Sequence, residues 1–402
     1  MTVHAGSPAF KRINRAMVFG GFSTFALLYC VQPLMPLMAR EFALSPAQSS
    51  LSLSVSTGAL AISLVLSSIV SDRVGRTPMM VGAMLGGAVL TMLCAFAQTF
   101  PQLLILRALL GVALGGMPSI AMAYLGEEIE PTSLGLSMGL YIGGSAFGGM
   151  LGRVLTSVVS DFYSWRYALA GIGAAGLYAA WEFRRSLPDS KNFRQGQRGL
   201  AALTAGVRQQ LGDEGLPWLF ALAFLLMGCF VSMYNFIGFR MLGAPFGWSQ
   251  SGVGLLSAMY LLGIFSSVWA GRLADKLGRR NVLWLVMSLM LTGLLLTLSG
   301  SPWLIVPGIG LFTFGFFASH SVASSWVQRR AQEPKALASA IYLLFYYLGS
   351  SVVGSVCGTV WSAAGWPGVV GLLGSILGIS FLIAVRLRSL APVTPVSLAP
   401  AA

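Results

Sequence analysis

The chain of 402 residues is 56% hydrophobic and only 9% charged, with a formal net charge of +13. Soluble domains carry about 25% charged residues, so this composition excludes an ordinary soluble domain and indicates a membrane protein. Twenty of the 25 lysines and arginines lie in the two ends of the chain and in alternate loops, which argues against a nucleic-acid-binding surface. This pattern follows the positive-inside rule and predicts that both termini are cytoplasmic.

About 20 apolar residues are needed to cross a bilayer as a helix, and twelve segments meet this requirement. The first six are predicted near 17–38, 49–70, 79–98, 101–125, 132–157 and 166–183. The other six are predicted near 217–239, 252–271, 281–299, 303–326, 336–361 and 367–386. The polar, basic stretch 184–216 predicts a cytoplasmic linker between an N-terminal bundle (1–183) and a C-terminal bundle (217–402).

One charged phrase is present twice, each time between two predicted spans. The sequence DRVGR at 72–76 recurs as DKLGR at 275–279, and the two aspartates lie 203 residues apart (275 − 72). Six spans in each half is an even number, so the two halves have the same orientation in the membrane. They are therefore predicted to be parallel repeats.

The phrase resembles the signature G-x-x-x-D-[RK]-x-G-[RK] of major facilitator superfamily transporters, and the resemblance extends over nearly the whole chain. The second copy fits in full from Gly271, whereas the first has Ser68 in place of the glycine. The stretches 28–33, 124–129, 138–142 and 320–326 are similar to the acriflavine-sensitivity (YnfM-like) branch of bacterial inner-membrane exporters. The resemblance implies an all-α membrane fold of twelve transmembrane helices in two parallel six-helix repeats.

Both copies of the phrase are expected to form a charge latch at the cytoplasmic face. Their carboxylates would cap a facing helix, and their basic groups would pair with acids at the end of the fourth span. Such pairs would bias an alternating-access equilibrium, whereas the simpler alternative is that the phrase only anchors its loop at the interface. The residues of this predicted latch are Asp72, Arg73, Gly75, Arg76, Gly271, Asp275, Lys276, Gly278, Arg279, Glu127 and Glu128.

Two arginines are predicted inside the membrane. Arg107 begins a pattern with Gly111 and Gly115 that resembles the fourth-helix motif of proton-coupled members, and it lies roughly 9 Å along its helix. An intramembrane arginine is a functional candidate by default. Arg153 lies roughly 31 Å along the fifth span. Either Arg107 and Arg153 both line the outer half of one cavity, or Arg153 simply ends its helix.

The fifth span carries a glycine pattern that resembles the antiporter motif of the superfamily. Gly149 replaces the proline of that motif, and Arg153 replaces its last glycine. Glycines at helical spacing also serve ordinary tight packing, which would require the same residues. The pattern consists of Gly135, Gly144, Gly148, Gly149 and Gly152.

Polar side chains within the spans are the remaining candidates for a substrate or proton pathway. Tyr29, Gln32 and Asn235 are expected to face a site between the halves. His320, the one histidine in a predicted span, either takes part in proton or substrate transfer or forms a structural hydrogen bond. The four cysteines have no paired spacing and are interpreted as packing residues, so neither a metal site nor a cofactor is predicted.

No acidic residue falls in the middle of a predicted span, so the two buried arginines favour a neutral, zwitterionic or anionic substrate. We expect a monomeric secondary transporter that exports a small organic solute by proton antiport. Proton-coupled uptake of an organic anion or sugar is the alternative, and a membrane sensor without transport is a remote one. The sequence lacks the ligand clusters and the phosphate-binding loop that most membrane enzymes or ATP-driven pumps require, so no enzymatic activity is predicted.

Overall fold

The computed structural model describes residues 2–190, 192–193, 200–331 and 335–390. These residues form twelve long helical segments, named spans 1 to 12 in chain order. Spans 1 to 6 are Pro8–Glu41, Pro46–Val74, Arg76–Cys94, Phe100–Glu128, Pro131–Phe162 and Trp165–Ser186. Spans 7 to 12 are Leu216–Leu242, Gln250–Leu277, Arg279–Leu296, Pro302–Arg330, 335–364 and 366–389. The predicted twelve-helix fold is confirmed.

Each predicted segment overlaps one span, and spans 11 and 12 are separated only at Gly365. This glycine has a φ of 58°, which interrupts an otherwise continuous helix. Between spans 6 and 7, the described residues include a short helix, Leu200–Leu211. Residues 191 and 194–199 of the predicted linker lie outside the described residues, and the division of the chain at 183 and 216 stays a prediction.

Three spans contain an interruption of the regular helix. Span 1 consists of a helix to Tyr29, a short 3₁₀ turn at Gln32–Leu34 and a second helix from Met35. Pro33 and Pro36 supply no backbone N–H, so carbonyl groups of the preceding turn lose their usual helical partners. Span 4 breaks after Leu114, and span 8 contains a 3₁₀ turn at Leu256–Met259.

The glycines of the repeated phrase make the sharp turns between spans 2 and 3 and between spans 8 and 9. Gly75 has a φ of 100° and Gly278 a φ of 82°, a region that other residues rarely adopt. Each glycine therefore ends one span and starts the next. The turn geometry alone accounts for the glycine in each copy of the phrase, whether or not the phrase takes part in transport.

The two ends of the bundle differ in charge and in packing. The end that carries Arg76, Asp213, Arg279 and Arg330 is called the basic end, and the end that carries Glu41 is called the opposite end. The segments before and after the linker are called the N-terminal and C-terminal halves. At the opposite end the halves are in contact: Gln250 Nε2 donates to the carbonyl of Pro33 at 2.6 Å, and the Ser251 amide donates to Asp161 at 3.1 Å.

Span 5 packs closely on span 1 through a stripe of glycines. A Cβ atom on Gly144 would lie 2.9 Å from the Val18 carbonyl oxygen, and one on Gly148 only 2.1 Å from that of Phe22. On the same stripe, a Cβ atom on Gly152 would lie 2.8 Å from the Cα of Ala26. This close approach brings the next turn of span 5, which carries Arg153, to the break in span 1.

Candidate functional site

A cavity of about 580 Å³ lies between the two halves. Spans 1, 4 and 5 supply one wall, and spans 7, 8, 10 and 11 supply the other. The cavity extends from the buried Arg153 to Gln328 and Ser339 at the basic end, where the Gln328 side chain is exposed. Its volume is typical of sites for small molecules.

Arg153 lies at the deep end of this cavity and is only 2% exposed. Its Nε donates to Gln32 Oε1 at 2.5 Å, and its Nη1 donates to the carbonyl of Gly149 at 2.6 Å. The guanidinium carbon lies 4.5 Å from the ring centroid of Tyr29 and 4.8 Å from that of Tyr260. The cation is thus held by neutral acceptors and aromatic faces.

Gln32 connects Arg153 to the C-terminal half. Its Nε2 donates to Asn235 Oδ1 at 2.6 Å and to the carbonyl of Val231 at 3.2 Å. Gln32 and Asn235 are each 1% exposed, and they are 203 residues apart, the same offset as the two aspartates of the repeated phrase. Equivalent positions of the two repeats therefore meet in a buried amide pair.

Four of the predicted pathway residues are thus brought together: Tyr29, Gln32, Arg153 and Asn235. The structure gives Arg107 a different place, since it is not among the described residues that line the cavity. The prediction that Arg107 and Arg153 both line the outer half of one cavity does not match this geometry. The difference arises because the side chain of Arg107 points toward the break in span 1.

Arg107 is 1% exposed and binds three backbone carbonyl groups. Its Nε donates to Ser52 at 2.9 Å, its Nη1 to Leu27 at 3.2 Å and its Nη2 to Leu28 at 2.5 Å. Leu27 and Leu28 belong to the last turn of the first helix in span 1, where carbonyl groups lack helical partners. A cation at a helix C-terminus is also favoured by the helix dipole.

His320 lies on the wall of the cavity that spans 10 and 11 form. Its Nδ1 makes a hydrogen bond of 2.9 Å with the Tyr342 hydroxyl, and its ring lies 4.9 Å from that of Tyr346 between centroids. The ring also stacks on Phe316 at 6.1 Å with an interplanar angle of 8°. The imidazole of His320 is therefore presented to the cavity on spans 10 and 11, whereas Arg153 lies on span 5.

Aromatic rings form most of the remaining wall. Phe230 and Phe316 stack with centroids 3.8 Å apart, and Tyr260 packs edge-on against Phe317. Sequence reasoning did not select the phenylalanines, because an apolar ring that faces a cavity and one that faces lipid look alike in sequence. The short 3₁₀ turn before Tyr260 contains no proline, so the sequence did not indicate it either.

The two predicted latch clusters are found at the basic end, each within its own half. Arg76 pairs with Asp72 at 2.9 Å and with Glu127 at 2.9 Å. In the C-terminal half, Asp275 pairs with Arg279 at 3.0 Å and with Arg329 at 3.1 Å.

The other latch residues take varied positions. Arg73 and Lys276 are exposed, and Gly271 approaches Ser321 with 4.0 Å between its Cβ position and Oγ. The side chain of Ser68, where the first copy departs from the signature, lies outside the described residues. None of these positions tests whether the phrase acts as a latch.

Glu128 binds the beginning of the linker. Its carboxylate accepts from the Ser190 hydroxyl at 2.6 Å and from the Asn192 amide at 2.8 Å. At the far end of the linker, Asp213 accepts from Arg330 and from the amides of Gly215 and Leu216. Burial raises the pKa of the Asp213 carboxyl, but these hydrogen bonds outweigh it and hold the pKa below its usual value.

The glycines of the fifth span divide into three kinds of position. Gly144, Gly148 and Gly152 face span 1, and Gly149 lines the cavity next to Arg153. A Cβ atom on Gly135 would have no neighbour within 4 Å.

In the part of the chain that the structure describes, no three His, Cys, Asp or Glu side chains are grouped as metal ligands would be.

Comparisons with known proteins agree with this fold. The model of the Major Facilitator Superfamily matches residues 17–243 and 238–402. The inner membrane transport protein YnfM of Escherichia coli (strain K12) is 46% identical over 96% of this chain and 93% of its own length. The uncharacterized MFS-type transporter YybF of Bacillus subtilis (strain 168) is 44% identical over 92% of each chain.

Solved structures with low sequence identity share the architecture. The nucleoside transporter NupG (D323A mutant) has a TM-score of 0.76 at 14% identity, covering 94% of this chain and 100% of its own. A bacterial homolog of the human lysosomal transporter Spinster, inward-facing and unoccupied, has a TM-score of 0.72 at 15% identity and covers 96% of each chain. At these identities the likeness shows the fold alone.

Proposed function

This chain belongs to the Major Facilitator Superfamily of membrane transporters, and we propose that it exports a small organic solute by alternating access coupled to proton influx. The single observation that carries the proposal is the cavity between the halves with Arg153 at its deep end. A solute-sized space between repeats, reached from one end only, is what alternating access requires.

We propose that the basic end faces the cytoplasm, together with both termini. The excess of arginine and lysine at that end supports this orientation, and the relative with 46% identity is named an inner membrane protein. In this orientation the cavity extends toward the cytoplasm. A site that loads from the cytoplasm suits export.

The charges of the cavity support a neutral, zwitterionic or anionic solute. Arg153 is a permanent cation, and the described lining residues include no carboxylate. A cationic solute would be repelled by Arg153 without a compensating acid. His320 is our candidate for the coupling proton, because an imidazole can gain and lose a proton and this ring lines the cavity beside Tyr342.

Movement of the halves would involve the other predicted residues. We propose that the bundles 1–183 and 217–402 move as units in a monomer, with the clusters around Arg76 and Asp275 as a latch at the basic end. The stripe Gly144, Gly148 and Gly152 would let span 5 follow span 1 closely. These glycines are needed for packing in any case, so their antiporter role has weaker support than the cavity.

Uptake by proton symport is the alternative, and Arg153 would suit an organic anion equally well in that direction. A pH-sensitive dye inside proteoliposomes separates the two mechanisms. For antiport, we expect solute leaving a vesicle to drive protons in, and His320→Gln to abolish this proton movement. His4→Gln is the matched control, because His4 is exposed at the basic end and should leave coupling unchanged.

Two results would contradict the proposal. Solute and protons that move in the same direction would establish symport. Protein that binds solute and transports none, at any pH gradient, would favour the remote alternative of a membrane sensor.

A further inference from the structure

The deep end of the cavity holds a cation without a counter-charge. Arg153 donates to an amide oxygen and a backbone carbonyl, and both of these acceptors are neutral. Among the described residues, the structure gives no acceptor for its Nη2 atom. Burial of an ionised group is costly unless the group is paired, so a carboxylate is the ligand that this nitrogen lacks.

The wall next to this cation is aromatic. The rings of Tyr29 and Tyr260 lie on the guanidinium, and the stacked pair Phe230 and Phe316 continues the wall. Tyr260 packs against Phe230 with centroids 5.4 Å apart, so the surface is continuous from the cation to the stacked pair. Flat rings bind aromatic surfaces through stacked or edge contacts that aliphatic groups do not make.

Farther along the wall from Arg153, the cavity offers hydrogen-bonding groups. His320 and Tyr342 are joined by a hydrogen bond of 2.9 Å. Ser321 donates to the carbonyl of Ser267 at 3.0 Å, and both serines line the cavity. These groups suit a hydroxyl or a similar polar substituent on the solute, and the described lining contains no arginine or lysine besides Arg153 for a second anionic group.

We propose that the solute is an aromatic monocarboxylate, with its carboxylate on Arg153 and its ring against the Tyr260, Phe230 and Phe316 wall. This inference rests on the proposed transport function and deepens it by naming the substrate class. Arg153 acts as a binding residue through Nη2 while Nε stays on Gln32. The same side chain thus links the solute to the buried amide pair that joins the halves.

Equilibrium binding to the purified full-length protein tests the charge and the ring separately. The probes are 4-hydroxybenzoate, its neutral amide 4-hydroxybenzamide, and the non-aromatic anion cyclohexanecarboxylate. We expect 4-hydroxybenzoate to bind at least about tenfold more tightly than either of the others, equivalent to about 1.4 kcal/mol. In Arg153→Gln, the preference for carboxylate over amide should disappear.

Two further variants make the test specific. Phe316→Leu should reduce the preference for the aromatic over the cyclohexyl acid while the preference for carboxylate over amide remains. Arg184→Gln removes an exposed arginine of the basic end and should change none of the affinities. If Arg153→Gln fails to fold, Arg153→Lys is the substitute. It retains a point charge without the planar fork, so it should weaken carboxylate binding by a smaller factor than complete loss of the charge would.

Tighter binding of benzyltrimethylammonium than of 4-hydroxybenzoate would overturn the inference, as would equal binding of acid and amide. Transport in proteoliposomes keeps this result separate from the proposed function. Proton-linked transport of a solute without a carboxylate, together with no aryl carboxylate binding, would refute the substrate class and leave the transport mechanism standing. Aryl carboxylate binding without any transport would support the substrate class and refute the transport mechanism.

Discussion

Two arginines of the N-terminal half are almost equally buried, yet their surroundings differ. Arg107 uses all its nitrogens on backbone carbonyl groups at the break in span 1, outside the cavity lining. Arg153 lies in the cavity between two tyrosine rings and retains one nitrogen without an acceptor in the described structure. Burial alone therefore does not separate the two sites, whereas the nitrogen without an acceptor among the described residues and the position in the cavity lining do.

The largest expected effect comes from Arg107→Met. This substitution leaves the buried carbonyl of Leu28 without its side-chain donor and that of Leu27 with only the weak Cys30 thiol, and we expect stability to fall by about 3 kcal/mol or more. Fluorescence-detected size exclusion after heating would measure the loss in detergent, with Arg184→Met as the exposed control. A melting temperature within about 2 °C of the parent protein would show that Arg107 does not hold the break.

Gly148→Ala should disturb both arginine sites together, since span 1 carries partners of each. The added methyl group would lie 2.1 Å from the Phe22 carbonyl oxygen, and the strain should cost about 1–3 kcal/mol. We expect a lower melting temperature and weaker binding of the anionic probe in the same variant. Gly135→Ala, whose methyl group would meet no neighbour within 4 Å, is the control and should show neither effect.

A third arginine extends the comparison, because Arg330 binds a carboxylate at the membrane edge. We expect Asp213→Asn to cost about 1 kcal/mol at neutral pH. The folded pKa of Asp213 is lowered below its ordinary 3.8, so the pair stabilises the protein above that value and is lost only as pH falls through the folded pKa.

The parent protein and the Asp213→Asn variant should therefore differ in melting temperature by the same amount at pH 7 and at pH 5. A melting-temperature difference that is smaller at pH 5 than at pH 7 would mean that another titratable group governs this contact. The linker would then be attached to span 10 by something other than the Asp213 carboxylate.

The smallest effect on stability is expected for Arg153→Met. An apolar side chain removes the cost of burying a cation without a counter-charge, which offsets the donor lost to the buried Gln32 Oε1, so the net change should stay within about 1 kcal/mol. Heating curves for this variant and for Arg107→Met, taken side by side, provide the check. Equal destabilisation of the two variants would remove the distinction between the two sites.

The sequence was sufficient for the fold because its signals are local. Long apolar runs, the turn glycines at Gly75 and Gly278, and the duplicated phrase each predict a feature that the structure contains. The cluster of Tyr29, Gln32, Arg153 and Asn235 could also be anticipated, since polar groups inside spans need partners. Their role in transport stays a prediction.

Other features depend on how each helix is rotated and where its partners lie. In a membrane, both the lipid-facing side and the cavity-facing side of a helix are apolar, so hydropathy could not select Phe230 or Phe316. The position of Arg107 depends on carbonyl groups that only the break in span 1 exposes. The attachment of Glu128 to Ser190 and Asn192 joins segments that no periodic pattern relates.

The missing counter-charge of Arg153 has an electrical consequence. With a monocarboxylate bound, the deep end of the cavity is neutral overall, and without it the same site carries one positive charge. One elementary charge that crosses a membrane potential of 100 mV changes in energy by about 2.3 kcal/mol. The potential would therefore act mainly on the carrier without solute, which in the proposed antiport also holds the coupling proton, so that membrane voltage would influence the rate of the return step.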